Sequence, residues 1–280
     1  MFIISTAVAN AANKSGASDH PAGNQPEPVH SFSSIREGSF GVANLQEVNY
    51  AITGDAWWNG VKNPNLRIVG MIMPLREAIF VRADSDIKSI ADLKGKPMTD
   101  GYTAQNTILP QLDAIYATAD MTRADMKPVN VPSVVAGADA FISGDAVGFI
   151  FAHGAGKVRE ADAAVGGLRA LPVADASETG LAKARKHWPT AFFTKIKAGT
   201  TPGVTEDATY IAYPQIVFTH AGVPDDKVYA MAKAMYQGKD VMAGTFKPFA
   251  AFDPKEMKGD PGVAQFHPGA LKFFEEAGLK

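Results

Sequence analysis

Between residues 127 and 173 strand and helix signals alternate without a break. Residues 128–131 read as a strand, 134–143 as a helix, 146–151 as a strand, 156–165 as a helix and 168–173 as a strand. Such a chain buries its apolar faces by laying the strands side by side, mainly parallel, under covering helices. That makes the chain an α/β protein. The same grammar extends outward. Residues 5–14 are alanine-rich and helical, with Gly16 as a stop. Val29, Phe32 and Ile35 form a short amphipathic segment after a polar loop at 21–26. Residues 40–43 read as a buried strand running into Asn44-Leu45-Gln46-Glu47, a polar helix opening. Strands are expected at 66–72, 77–82 and 98–100, and a short helix at 89–93. A helix from Thr103 carries Ile108, Leu112 and Ile115 on one face and is kinked by Pro110. Residues 211–218 read as one late strand with a proline interruption, and the chain from Val223 reads as helical around a Phe/Pro/Gly-rich break at 246–261.

At 280 residues the chain has length for one large or two medium cores. A net charge of −2 gives no electrostatic reason to expect nucleic acid as a partner. Cysteine is absent, which excludes disulfides, thiolate metal sites and cysteine nucleophiles. No apolar run approaches the roughly 20 residues that span a bilayer. Residues 1–11 lack a basic leader region, so they read as the first helix of the fold, and any export signal is expected to be absent from this chain.

No nucleotide loop, nucleophile elbow or zinc-protease helix is present. His153-Gly154-Ala155-Gly156 follows a strand but lacks the Lys-Ser/Thr of a phosphate loop. The six histidines have no metal-ligand spacing and read as surface or packing residues. We therefore expect no catalytic residue, no metal and no cofactor. What remains are polar loops at 22–25, 44–47 and 101–106. In α/β folds ligands sit beyond the carboxyl ends of strands, where helix N-termini offer free N–H groups. Each loop reads equally well as a capping turn when taken alone. Trp57-Trp58 reads as a packing pair, and Tyr102, Phe151 and Tyr213 stand at or beside strand ends.

Two segments carry a resemblance. Residues 84–96, DSDIKSIADLKGK, resemble a segment shared by several type II periplasmic solute receptors. Residues 266–279, FHPGALKFFEEAGL, resemble the ending of the TAXI receptors, the solute-binding subunits of one class of TRAP transporter. Residues 41–44, 50–54 and 223–229 are similar to the same family. The resemblance implies a two-lobed α/β fold of the type II periplasmic-binding-protein kind, with mixed sheets, helices on both faces and a hinge. Lobe 1 would comprise residues 1–72 with 208–280, and lobe 2 residues 73–207. It also implies a monomeric periplasmic receptor that captures a small carboxylated solute, an amino acid or dicarboxylate, without chemistry, and delivers it to the membrane permease subunits of an ion-driven TRAP transporter. Carried over by position, the ligand-binding residues are Asn24, Gln25, Asn44, Gln46, Tyr102, Thr103, Gln105, Phe151, Ala152 and Tyr213. Family members begin with a strand and a glycine-rich loop, whereas this chain is expected to start at the helix that follows them. Arg67, Arg76 and Arg82 each read as a surface charge as readily as a carboxylate clamp, and amides with helix N-termini are the preferred picture. The alternatives are a receptor for an ATP-driven importer, a sensor with the same lobes, and an enzyme on a similar fold.

Overall fold

The computed structural model describes residues 2–16 and 40–280. The expected loop at 21–26, with Asn24 and Gln25, and the segment at 29–35 lie outside the described residues. The strands are β1 (Gly41–Asn44), β2 (Leu66–Met71), β3 (Leu75–Arg82), β4 (Pro97–Gly101), β5 (Lys127–Val131), β6 (Gly148–Ala152), β7 (Leu168–Leu171), β8 (Phe192–Ile196), β9 (Ala208–Tyr213), β10 (Gln215–His220) and β11 (Gln265–Phe266). They divide between two compact units, Met1–Pro74 with Pro214–Lys280, and Leu75–Tyr213. The chain passes from one unit to the other at Pro74 and returns at Pro214.

The first unit holds a four-stranded sheet in the order β1-β10-β2-β11. β10 runs antiparallel to β1 and β2, and the two-residue β11 is parallel to β2. Helix Phe2–Lys14 buries Ile4, Ala7, Val8, Ala11 and Ala12, the i, i+3, i+4 stripe of a helix lying on a core. That stripe belongs to the same core as Met231 and Met235 of helix Asp225–Gln237 and Phe274 of helix Pro268–Glu276. On the other side of the sheet Leu45, Val48 and Ala51 of helix Leu45–Thr53 pack with Trp58, Ile68 and Phe218. Trp57 meets Tyr50 edge to face at 5.6 Å.

The second unit holds a seven-stranded sheet in the order β5-β4-β6-β3-β9-β8, with β7 also on β3. Mainly parallel sheets were expected, but in this sheet only β4, β5 and β6 run parallel. β3 is antiparallel to β6, to β9 and to β7. The cause is connectivity: the chain enters the unit on β3 and leaves it on β9, so the neighbouring entry and exit strands must run in opposite directions. One edge of β3 is consequently shared, with Leu75 facing Tyr213 at its start and Ile79 facing Leu171 further on.

Three other expectations need correction. Residues 211–218 are two strands in two sheets, because Pro214 has no N–H to continue a ladder. The helix expected from Thr103 begins at Ile108, which puts Pro110 in its first turn, where a missing N–H costs nothing. Helix Glu178–Arg185 and β8 were not anticipated; the helix is mostly polar and β8 is a half-exposed edge strand.

The two segments that carry the resemblance are built from caps and packing. Asp92 accepts from the Lys88 and Ser89 N–H groups at 3.0 and 2.8 Å, fixing the turn that buries Ile87, Ile90 and Leu93. Arg169 donates to the carbonyls of Ala83, Ser85 and Ile87 and holds the preceding loop. At the C-terminus His267 caps helix Pro268–Glu276, its Nδ1 accepting from the Gly269 N–H at 3.2 Å, and Pro268 occupies the first turn. A Cβ on Gly269 would lie 2.1 Å from the Asp225 carbonyl oxygen, so the close approach of the two helices requires glycine there. Gly269→Ala should therefore lower unfolding free energy by about 2–4 kcal/mol. Gly244→Ala, in a helix with open space around the position, should leave it unchanged or raise it by up to about 1 kcal/mol. Urea unfolding of the two variants checks the contrast, and equal midpoints would contradict it.

Candidate functional site

In the first unit the polar groups gather where β1 ends and helix Leu45–Thr53 begins. Asn44 closes β1 in extended geometry and serves as the N-cap. Its backbone N–H donates to Glu47 Oε2 at 2.9 Å, the return half of a capping box. Gln215, the first residue of β10 and register partner of Asn44, donates from Nε2 to Asn44 Oδ1. Asn44, Gln46, Glu47, Asn49 and Gln215 are all buried. Among the described residues the Oε1 atoms of Gln46 and Gln215 and the Oδ1 of Asn49 nevertheless have no hydrogen-bond partner. A buried amide oxygen left unpaired costs about 1–3 kcal/mol, so three on helix Leu45–Thr53 and the start of β10 mark a locus that is not optimised for stability alone. Burial, the largest influence on Glu47, pushes its carboxyl group up from 4.5 to about 7 against the opposing hydrogen bonds from Asn44.

In the second unit the carboxyl ends of the parallel strands β4, β5 and β6 supply the corresponding groups. Gly101 turns the chain at φ +84°, and a Cβ there would meet Asn130 Oδ1 at 3.0 Å. Tyr102 follows with φ +37°, a left-handed conformation that is strained for a residue with a side chain. Its ring is fully buried and its hydroxyl donates to Thr99 Oγ1 at 2.7 Å. Burial pushes the phenol up, and the charge of Glu77 adds to the effect. Gln105 Oε1 accepts from the Val134 N–H at 2.7 Å, so it caps helix Val134–Ile142 together with Ser133. At the end of β6, Phe151 faces Ala78 and Ala152 faces Glu77 across the ladder. Successive strand residues point to opposite faces, so only one of these two side chains lines any one surface. Phe151 lies on the face of Phe80 and Phe149, meeting Phe149 edge to face at 6.3 Å. Ala152 shares the other face with Glu77 and Tyr213, and Tyr213 is buried against Trp188 with ring centres 5.7 Å apart. His153 continues the pairing, its N–H bonding to the Arg76 carbonyl at 2.8 Å. Its ring packs on Phe80 and Tyr210, and Nδ1 lies 3.1 Å from Thr201 Oγ1. Burial, reinforced by the charge of Arg76, pushes the imidazole down to about 3, so it is neutral at physiological pH.

A family model for the NMT1-like family matches residues 2–278. The chain belongs to the NMT1-like family. Among solved structures, this family member is similar to the TctC solute binding protein from Polaromonas, with 14% identity over 99% of this chain and 92% of that one and a TM-score of 0.55. It is similar to the periplasmic binding protein BugD, with 9% identity over 99% and 94% and a TM-score of 0.53. It is also similar to the alkanesulfonate-binding protein SsuA from Xanthomonas axonopodis pv. citri bound to MOPS, with 15% identity over 97% and 81% and a TM-score of 0.51. The fold of this NMT1-like protein is thus the mixed α/β, two-sheet fold of periplasmic binding proteins.

The expected binding residues of this family member fall into separate sets. Asn44 and Gln46 stand together in the first unit, beside Gln215 and Glu47, which the sequence reading did not select. A signal for Glu47 existed in the Asn-x-x-Glu capping pattern, whereas Gln215 is placed only by the β1–β10 register. Tyr102, Thr103 and Gln105 share one loop of the second unit, with Thr103 exposed, Tyr102 buried and Gln105 serving as a cap. Of the three arginines, Arg67 bonds the Pro64 and Leu66 carbonyls and Arg82 pairs with Asp84 at the surface. Arg76 lies near His153.

The buried acid gives the family member a specific pH signature. A carboxyl group whose folded pKa exceeds its unfolded one keeps its proton longer in the folded state, so its stabilising effect is lost as pH rises from 4.5 through about 7. Urea unfolding at pH 5 and pH 8 should show the natural protein losing about 2–3 kcal/mol more than Glu47→Gln over that interval. Parallel losses in the two proteins would contradict the burial of an ionisable Glu47.

Proposed function

We propose that this chain is an extracytoplasmic solute-binding receptor that captures a small organic anion and performs no chemistry on it. The observation that carries the reading is the buried Gln46 amide at the start of helix Leu45–Thr53, whose Oε1 has no partner among the described residues. Pairing such groups is what a bound solute does, and binding sites combine a few convergent polar groups with apolar walls. The fold, shared with TctC, BugD and SsuA, supports the same reading.

In this reading the strand ends of each unit, taken separately, carry the candidate binding groups. Asn44, Gln46 and Gln215 act from the first. From the second come the backbone around Tyr102–Gln105, the hydroxyl of Thr103, and Ala152 beside Tyr213. Gln105 and Tyr102 hold the loop in shape, and Phe151 supports β6 from the opposite face. The periplasm is the proposed location and a membrane permease the proposed partner. The finer proposal, a carboxylated solute handed to an ion-driven TRAP permease, is supported by the similarity of residues 266–279 to TAXI receptors. A second reading, capture of a sulfonate, is favoured by the likeness to the alkanesulfonate-binding SsuA.

Calorimetry with amino acids, dicarboxylates and short alkanesulfonates tests the proposal and separates the two ligand classes. One class should bind, and at a hundredfold excess over Kd it should stabilise the fold by about 2.7 kcal/mol. Gln46→Ala should weaken that binding at least about tenfold, or 1.4 kcal/mol, with the unfolding midpoint unchanged or raised. Absence of binding across the panel, or consumption of the solute during incubation, would overturn the receptor reading.

A further inference from the structure

We propose that Gln46 and Asn49 form a carboxamide pair that reads a hydrogen-bond donor on the captured solute, a hydroxyl or an ammonium group carried in addition to its anionic group. Asn49 is the specificity-determining member. The inference rests on the receptor reading above and adds what one end of the solute must carry. It uses residues of the first unit alone.

The pair follows from helix periodicity. Residues three apart on an α-helix are neighbours on one face, so Gln46 and Asn49 share a face of helix Leu45–Thr53. They are only 4% and 6% exposed. Among the described residues neither Gln46 Oε1 nor Asn49 Oδ1 has a hydrogen-bond partner. Asparagine is a poor residue for a helix interior, and here its amide oxygen gives no hydrogen bond to the fold in return.

A turn of backbone holds the second amide in place. Gly262 lies so close to Asn49 that a Cβ there would be 2.5 Å from Nδ2. It takes the left-handed φ of +63°, and its N–H donates to Asp260 Oδ1 at 2.9 Å. Only glycine passes the amide at this distance without displacing it. Two residues on, Ala264 is buried in the core of Leu45, Val48 and Trp58, which anchors the turn to the helix.

The chemistry of the locus selects the solute group. Each carboxamide has one oxygen that only a donor can pair, whichever way the amide is turned. Carboxylate and sulfonate oxygens only accept. Placed here, they would leave both amide oxygens unpaired and set a negative charge beside the buried carboxyl group of Glu47. β1, helix Leu45–Thr53 and β10 carry no lysine or arginine to offset that charge. A hydroxyl has a donor for one oxygen, and an ammonium group has donors for both. The anionic group of the solute therefore belongs elsewhere, and its donor group belongs at this pair.

The test is calorimetry of the full chain with two substituent series: succinate, malate and aspartate, and ethanesulfonate, 2-hydroxyethanesulfonate and taurine. Within the series that binds, a hydroxyl- or amino-bearing member should bind at least about tenfold tighter than its unsubstituted parent. Asn49→Leu should bring that ratio to within about twofold of one, with the urea unfolding midpoint unchanged or raised, because an apolar side chain replaces an unpaired buried amide. The ratio in the natural protein is a test in its own right, independent of how the variant folds. A parent that binds as tightly as its substituted relatives would overturn the inference. So would a preference retained in Asn49→Leu, or a lowered midpoint, which would make Asn49 a packing residue. Absence of binding by all six compounds would overturn the receptor reading together with the inference, whereas binding without preference overturns the inference alone.

Discussion

The backbone ladder between β3 and β9 governs the rest of the architecture. Leu75 pairs with Tyr213 and Glu77 with Ile211, immediately beside the two points where the chain changes unit. On the other side of the same crossings Met71 pairs with Ile216, and the Ile72 N–H bonds to the Gln215 carbonyl at 2.8 Å. Both passages of the chain are therefore flanked by paired strands in each unit. This is why the large sheet cannot be uniformly parallel, and why Gln215 and Asn44 meet although they are 171 residues apart.

What could be read in the sequence follows from the range of the forces involved. Local signals were reliable: helix Gly156–Val165, with its apolar face at Val158, Ala161 and Val165, has the expected bounds. The capping pattern at Asn44-Leu45-Gln46-Glu47 correctly opened a helix. Long-range pairing was not legible. Residues 211–218 look like one strand because β-branched and aromatic residues continue through Pro214, and only tertiary pairing shows that the two halves serve different sheets. The start of helix Ile108–Ala117 was set too early because residues 103–107 are polar residues suited to either a cap or a turn.

The candidate site divides along the same line. Asn44 and Gln46 were legible because a polar helix opening after a buried strand is a local pattern. Gln215 and Glu77 were not, since what matters about them is burial and register. Gln105 shows the ambiguity of such residues, because its oxygen caps the helix that begins at Val134. The segments most informative about relatives, residues 84–96 and 266–279, turn out to be caps and close packing, with Gly269 pressed on Asp225. Their chemistry explains why they mark the fold well.

The account centres on capture at the Asn44–Glu47 strand end of the first unit. Hydrogen–deuterium exchange, compared with and without a saturating organic anion from the class that binds, addresses this most directly. Slowed exchange at Asn44–Glu47, with the helix Pro268–Glu276 unchanged, is the predicted result. Unchanged exchange at Asn44–Glu47, or protection located only away from it, would contradict it.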